Sequence, residues 1–330
     1  MTDMSTRDSI LQILSDGHVH TGTDIGGALG ISRAAVSKAV HGLEQNGVEI
    51  LRVHGRGYRL PAPLVLLDAA CIRAQLRADP PLAVEVHAAL DSTNDALLQR
   101  APAAHAVALF AETQAAGRGR RGRRWLATPY RNLLFSLAWR FEFGASALSG
   151  LSLAVGVALV EALREFGVAD AGVKWPNDIL WQERKLAGVL VDMRGEANGP
   201  TLAVIGVGIN VEQDPATARA VDQPWIDLRH IFAGATLDRN RLAALALSHI
   251  AAALAQFARD EIAPFLARWD AYHVYAGRSV RVTRSEGESS VEPDTTVTAP
   301  EGPVGSRSAA APATEVTRRV KDAIRRTVDR

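Results

Sequence analysis

Cysteine is nearly missing from this chain, with Cys71 the only one in 330 residues. One thiol excludes an internal disulfide framework and points to the reducing cytoplasm. No run of about 18 uninterrupted apolar residues occurs, so no membrane span is expected. The opening MTDMSTRDSI is acidic and lacks an apolar stretch, unlike a secretory signal. Neither sign of charge is in excess: 37 Lys and Arg balance 36 Asp and Glu, for a formal net charge of +1. Such a balance leaves nucleic-acid binding open, because clustering of basic groups matters more than their sum. No Ser-His-Asp or Cys-His signature of a covalent nucleophile is evident. What remains is 47% hydrophobic and 22% charged, a soluble globular composition long enough for two or three domains.

Residues 7–60 carry the first pattern. Ile10, Leu11, Ile13 and Leu14 form the apolar side of a helix that Gly17 ends. Asp24, Ile25, Ala28 and Leu29 suit a short second helix stopped by Gly30, and Ser32 caps a third in which Ala35, Val36, Ala39, Val40 and Leu43 recur at helical spacing. Val48–Val53 and Tyr58–Leu60 read as a β-hairpin around the turn His54–Gly57. Helix, short turn, helix and basic hairpin describe a winged helix-turn-helix that reads DNA, against the plainer alternative of a protein-docking module. Its candidate DNA contacts are Ser32, Arg33, Ser37, Lys38 and Arg56, with His41, Arg52 and Arg59 nearby. Pro61 and Pro63 follow as a stiff connection.

From about residue 65 helices and strands mix. Strands are expected at Val84–His87, Val107–Ala111, Leu133–Trp139, Leu186–Val191 and Leu202–Ile209. Helices are expected at Ser92–Arg100, opened by a Ser92-x-x-Asp95 capping box, at Leu148–Phe166, and at 241–257 and 261–269. The segment 117–125, GRGRRGRRW, interleaves three glycines with five arginines. Burying unpaired guanidinium groups is costly, so the run belongs on a ligand or in solvent. It contains Gly117-x-Gly119-x-x-Gly122, yet RRWLATPYRN cannot start the helix that a dinucleotide fingerprint requires, and no Gly-Lys-Ser/Thr closes a P-loop. The loop reads as a cationic clamp for an anion.

GRGRRGRRW, KWPNDIL at Lys174, RKLAGVLVD at Arg184 and GVGIN ending at Asn210 together resemble the biotin protein ligases, from about residue 7 to 282. With the winged helix in front, the resemblance is to the bifunctional ligase and operon-repressor members. It implies an α+β fold: a winged helix-turn-helix over 1–63, and over 64–272 a central mixed β-sheet with helices, related to class II aminoacyl-tRNA synthetases. It further implies a small C-terminal β-barrel, and here residues 273–330 begin that barrel and then truncate or replace it. The reaction implied is ATP-dependent: biotin carboxylate attacks the α-phosphate to give biotinyl-5'-AMP, which a lysine of a biotin carboxyl carrier protein then attacks.

The same resemblance assigns the site. Ser92, Thr93, Asn94, Gln114, Arg118, Gly119, Arg120 and Lys185 match biotin-binding positions, with Arg118, Arg120 and Lys185 as the charge-stabilising catalytic set. Arg121, Trp125, Lys174, Asn177, Asp178, Asn210 and Trp225 match nucleotide-side positions, and Asp178 is the candidate contact for Mg2+ carried by phosphate. Trp175 is expected to pack. The long loops around 112–130 and 213–236 are those that order on ligand in the family, where biotinyl-5'-AMP promotes homodimerisation and operator binding. Residues 284–315 read as a linker by composition, and Val316, Val320, Ile324 and Val328 as a short basic helix. Because the barrel assists catalysis in the family, a biotin sensor with weakened ligase activity stands as an alternative, and a lipoate-type ligase as another.

Overall fold

The computed structural model describes residues 5–100, 105–195, 199–276, 281–284 and 295–298. Three helices open the chain: α1 (Thr6–Leu14), α2 (Gly22–Leu29) and α3 (Arg33–Gln45). Each starts where a hydroxyl side chain satisfies a free amide, from Ser5 to Asp8, Thr21 to Asp24 and Ser32 to Ala35. The α2–α3 turn passes through Gly30 at φ +67°, a conformation a side chain resists. A hairpin of β1 (Leu51–Val53) and β2 (Gly57–Arg59) forms the wing, and Tyr58 exchanges backbone hydrogen bonds with His20 on its outer side. Strand pairing begins three residues later than expected. The amide of Val48 caps α3 by donating to Leu43 O at 3.0 Å, and Val48 and Ile50 turn into the core instead.

The connection that follows is pinned. Leu64 N donates to Ser15 O at 2.8 Å, and Arg239 Nε donates to Val65 O at 2.8 Å. Asn240 Nδ2 donates to Leu66 O at 3.0 Å, and Leu67 N donates to Glu112 Oε1 at 2.7 Å. Glu112 and Arg239, 4% and 2% exposed, form a buried ion pair at 2.7 Å, and Arg239 Nη1 also donates to Asn132 O at 2.8 Å. A charge pair so enclosed persists because hydrogen bonds occupy its remaining donors and acceptors.

The larger part contains α4 (Ala69–Gln75), β3 (Ala83–Leu90), α5 (Thr93–Gln99), β4 (Val107–Gln114), β5 (Leu133–Phe141), α6 (Leu151–Phe166), β6 (Gly172–Lys174), β7 (Asp178–Trp181), β8 (Arg184–Gly195), β9 (Thr201–Ile209), α7 (Pro215–Ala220), α8 (Leu228–Ile231), α9 (Arg239–Asp260) and α10 (Ala263–Tyr272). Seven strands form one sheet in the order β3-β4-β5-β9-β8-β7-β6, with β3 and β4 parallel and every other pair antiparallel. The alternation of β9 decides what each face meets. Ala203, Ile205, Val207 and Ile209 join the main core with α6 and α9, while Leu202 and Val204 join a smaller core with Leu97 of α5. Gly206 and Gly208 continue this second row and leave the sheet bare there. By length and composition, 145–166 and 239–260 would suffice to cross a membrane, but both helices are mostly buried against this sheet.

Several expectations change. KWPND folds into the β6–β7 hairpin, and α6 begins at Leu151 after Gly150, not at Leu148. The stretch expected as loop from 112 starts inside β4, and two short helices, α7 and α8, interrupt the loop expected over 213–236. In the expected linker, Thr295–Thr298 forms β11, paired antiparallel with β10 (Arg281–Arg284), because TTVT is β-branched throughout. The rest of the linker and the basic helix from Val316 lie outside the described residues.

Candidate active site

Beside the start of α5, over β8 and β9, a cleft of about 570 Å³ opens, within the size range of small-molecule sites. Every cleft residue expected from the sequence lines it: Ser92, Thr93, Asn94, Gln114, Arg118, Gly119, Arg120, Arg121, Trp125, Lys174, Asn177, Asp178, Lys185, Asn210 and Trp225. They come from seven separate segments of chain, which the sheet order brings together.

One end is built from the start of α5. Ser92 caps it by accepting from Asp95 N at 3.3 Å. The other half of the expected capping box does not form, because the Asp95 carboxylate accepts from Arg118 Nη2 at 2.6 Å instead. Thr93 N donates to Gln114 Oε1 at 2.7 Å, and the Thr93 and Ser136 hydroxyls share a hydrogen bond of 2.6 Å. Ser136 in turn donates to Asn94 Oδ1, and Asn94 Nδ2 donates to Asp192 Oδ2 at 2.8 Å. Asn94 lies so close over Gly206 that any Cβ there would collide with its carboxamide. The result is a rigid polar wall, oriented before any ligand arrives.

The arginine loop crosses the opening. Trp125 N donates to Gly117 O at 2.9 Å and Gly119 N to Arg123 O at 2.7 Å, so the tip closes on its own backbone. Arg118 bridges Asp95 and Asp192, the latter at 2.8 Å. The Trp125 indole lies flat in the gap left by Gly188 and Gly208, where a Cβ on Gly208 would overlap the ring. Its Nε1 is buried with no hydrogen-bond partner among the described residues, and Lys185 Nζ sits 5.4 Å from the ring centroid.

Lys185, at the start of β8, pairs with Asp178 Oδ1 at 2.7 Å, both side chains less than one-fifth exposed. Its backbone is clamped on two sides: its N–H donates to Pro224 O and its carbonyl accepts from Ile226 N, both at 2.9 Å, which sets Trp225 beside it. Asn210 spends its amide on Lys185 O and Ile226 O, each at 3.2 Å, and thus braces the lysine more than it faces the cleft. Asn177 Nδ2 likewise donates to Val189 O at 2.7 Å and fixes the β6–β7 turn. Trp175 both packs on the core and reaches the cleft.

Sequence reasoning missed Asp95, Asp192 and Ser136, which orient Arg118 and Asn94, and it missed Gln213. Gln213 accepts from Thr128 N at 3.1 Å and from Asn132 Nδ2 at 3.2 Å, and donates to Leu126 O and to Asn210 Oδ1, each at 3.3 Å. It therefore ties the root of the arginine loop to the loop that carries Trp225. The Gly206-x-Gly208 spacing was the available signal for the bare face, since period two puts both on one side of a strand. Nothing in the sequence marks Gln213.

On the winged helix, Ser32, Arg33, Lys38 and Arg56 are exposed, and Ser37 is half-buried. Ser32 already accepts from Ala35 N at 3.2 Å. Arg52 is drawn back by Glu44 at 2.7 Å. That hydrogen bond holds the Glu44 carboxyl below its usual range, against a smaller opposing effect of burial. Among the described residues no group of three or more His, Cys, Asp or Glu side chains stands where a metal ion would be held.

A profile of the biotin/lipoate A/B protein ligase family matches residues 86–210, and one of an HTH domain matches residues 6–59. The bifunctional ligase/repressor BirA of Escherichia coli (strain K12) is 40% identical over 289 residues, covering 87% of this chain and 88% of the relative. The protein of the same name from Bacillus subtilis (strain 168) is 33% identical over 198 residues, 59% of this chain and 61% of the relative. Among solved structures, biotin protein ligase from Aquifex aeolicus in complex with biotin and ATP superposes with a TM-score of 0.54 at 27% identity, covering 66% of this chain and 86% of that one. A DNA-reading module joined to a cation-lined cleft on this sheet, and matched along most of its length, places the chain in the biotin/lipoate protein ligase family as a bifunctional biotin ligase/repressor.

Proposed function

We propose that the cleft joins biotin to AMP and hands the vitamin to a carrier protein, and that the loaded chain represses biotin genes. The observation that carries the reading is the placement of Arg118, Arg120, Arg121 and Lys185 around the same cleft as the fixed Ser92–Asn94 polar corner. A carboxylate oxygen of biotin attacks the α-phosphorus of ATP, the bond to the β-phosphate breaks, and pyrophosphate leaves. The acceptor lysine amine of a biotin carboxyl carrier protein, of acetyl-CoA carboxylase or a similar enzyme, then attacks the carbonyl and AMP departs. Both steps gather negative charge, so fixed cations supply the stabilisation and no enzyme nucleophile is needed.

Ser92, Thr93, Asn94 and Gln114 hold the ureido ring and tail, and Arg118, Gly119 and Arg120 close on the carboxylate. Lys185 leaves Asp178 for the phosphate-linked oxygen. Trp125 offers the free face of its indole to adenine, with Trp225 on the other side and Lys174 and Arg121 toward the phosphates. Asn177 and Asn210 act through the backbones they brace. One carboxylate, Asp178, suits an ion that enters already bound to ATP phosphates, so Mg2+ arrives as part of the substrate. Arg33, Ser37, Lys38 and Arg56 meet the operator, Ser32 presents the helix N-terminus to a phosphate, and ligand promotes a homodimer with two reading helices. The setting is the cytoplasm, with no membrane partner.

Incubating the protein with Mg-ATP, labelled biotin and a biotin-acceptor domain tests this reading. Label on the acceptor is expected, and excess lipoate is expected not to compete. Adenylate without transfer would favour a sensor, competition by lipoate would favour the other ligase, and no adenylate at all would defeat the reading.

A further inference from the structure

The arginine loop is rooted outside the cleft that it serves. Five residues beyond Trp125, Tyr130 is 6% exposed and belongs to the core cluster of the winged helix, together with Ile10, Leu11, Leu14 and Leu43. Burial, with the carboxylates of Asp8 and Glu112, pushes its phenol up to about 12, opposed by Arg7. Pro129 packs beside Gly47, just after the recognition helix α3, its Cγ 3.2 Å from where a Cβ would stand. Tyr130 holds φ +61°, a left-handed conformation uncommon for a bulky side chain, and its N–H donates to Glu112 O at 3.0 Å. Ordinary interdomain packing calls for neither the positive φ nor a tether this short. Five extended residues span at most about 18 Å, and Thr128 within them is already bonded to Gln213 and Asp214.

We propose that Tyr130 is a positioning residue that couples the arginine loop to α1 and α3 inside one subunit, so that ligand closure changes the DNA-binding module before any second copy joins. The inference rests on the proposed reading of the cleft. Displacing Trp125 and Arg118 toward biotinyl-AMP moves the backbone that carries Pro129 and Tyr130, and packed cores respond to such shifts in discrete steps. Linkage makes the effect mutual: whatever the module does to Tyr130 returns as a change in ligand affinity.

Full-length protein, kept monomeric as verified by sedimentation, is compared with and without biotin plus Mg-ATP by amide hydrogen exchange. In the wild type, exchange across Ile10–Leu14 and Arg33–Gln45 is expected to change by at least about 5-fold. In Tyr130→Gly, which suits the positive φ, adenylate still forms but that change shrinks below twofold, while Tyr130→Phe retains it. If Y130G unfolds, Tyr130→Leu takes its place and must diminish the response. An undiminished response in these variants overturns the proposal. So does a wild type that makes adenylate with no change in α1 and α3. A wild type that binds neither biotin nor ATP removes the reading of the cleft, and this inference with it.

Discussion

The two halves of the arginine loop are held in different ways. From Gly117 to Trp125 the backbone bonds to itself, and Arg118 reaches out to two half-exposed carboxylates. From Leu126 to Asn132 nearly every polar group is taken by another part of the chain: Leu126 and Thr128 by Gln213, Tyr130 by Glu112 and the winged helix, Arg131 by Glu212 at 2.9 Å, and Asn132 by Val211 N at 2.8 Å. A clamp that must open and close needs this division. Closing a loop costs less entropy when its root is already ordered and only the tip is to be fixed. The lesson is that the groups that meet ligand and the groups that hold the fold occupy different halves of one run of 16 residues, 117–132, joined by a backbone short enough to carry a shift from one to the other, and substitutions on either side test it.

The strongest test is at the root. Glu112→Ala leaves the Arg239 guanidinium buried and uncompensated and frees the connection at Leu67, so about 3–5 kcal/mol of stability should be lost. Urea unfolding measures it, and a loss below about 1 kcal/mol would show that the pair does not hold the root. Next comes the tip. Arg118→Ala removes a cation from the reacting anions, and adenylate formation should fall by about 10²–10³-fold. Its ion pairs are about 40% exposed on the arginine side, so stability should move by less than about 1 kcal/mol. A variant that loses both would erase the distinction between tip and root.

How much of this was legible depends on what each residue answers to. The cap of α3, the Gly30 turn and the strands β5 and β9 were readable because local chemistry and period determine them. The cleft residues were readable because four motifs recur together, and the sheet order then explains why segments as distant as Ser92 and Trp225 line one cleft. The short pair β6–β7 was hidden, since three- and four-residue strands carry too little pattern. Glu112, Tyr130 and Gln213 were hidden for another reason. A glutamate in a strand reads as solvated, a tyrosine after a proline as loop, and a glutamine as filler, until the partners 45 to 127 residues away are known. Asp95 misled, because its helical cap position was real but a cation across the cleft outcompeted the local amide.

The smallest effect is expected at the seam between the root and the loop of Trp225, and it appears only in acid. Burial alone would raise the Asp214 carboxyl, yet the hydroxyls of Thr128 and Thr217 and the amides of Thr217 and Ala216 outweigh it and hold the group at about 2, below the ordinary 3.8. A carboxyl whose folded value is depressed adds stability wherever the unfolded chain would have it ionised. The contribution is therefore full above about pH 4 and disappears as pH falls toward about 2. Thr128 and Asp214 exchange two hydrogen bonds, of 2.6 and 2.8 Å, so protonation weakens the seam from the side of the root. In urea titrations between pH 5 and pH 2, Asp214→Asn should flatten part of the wild-type decline and leave the neutral-pH adenylation rate within a few-fold. An unaltered slope would assign the acid sensitivity to other carboxylates and leave the root held by Gln213 and Glu112 alone.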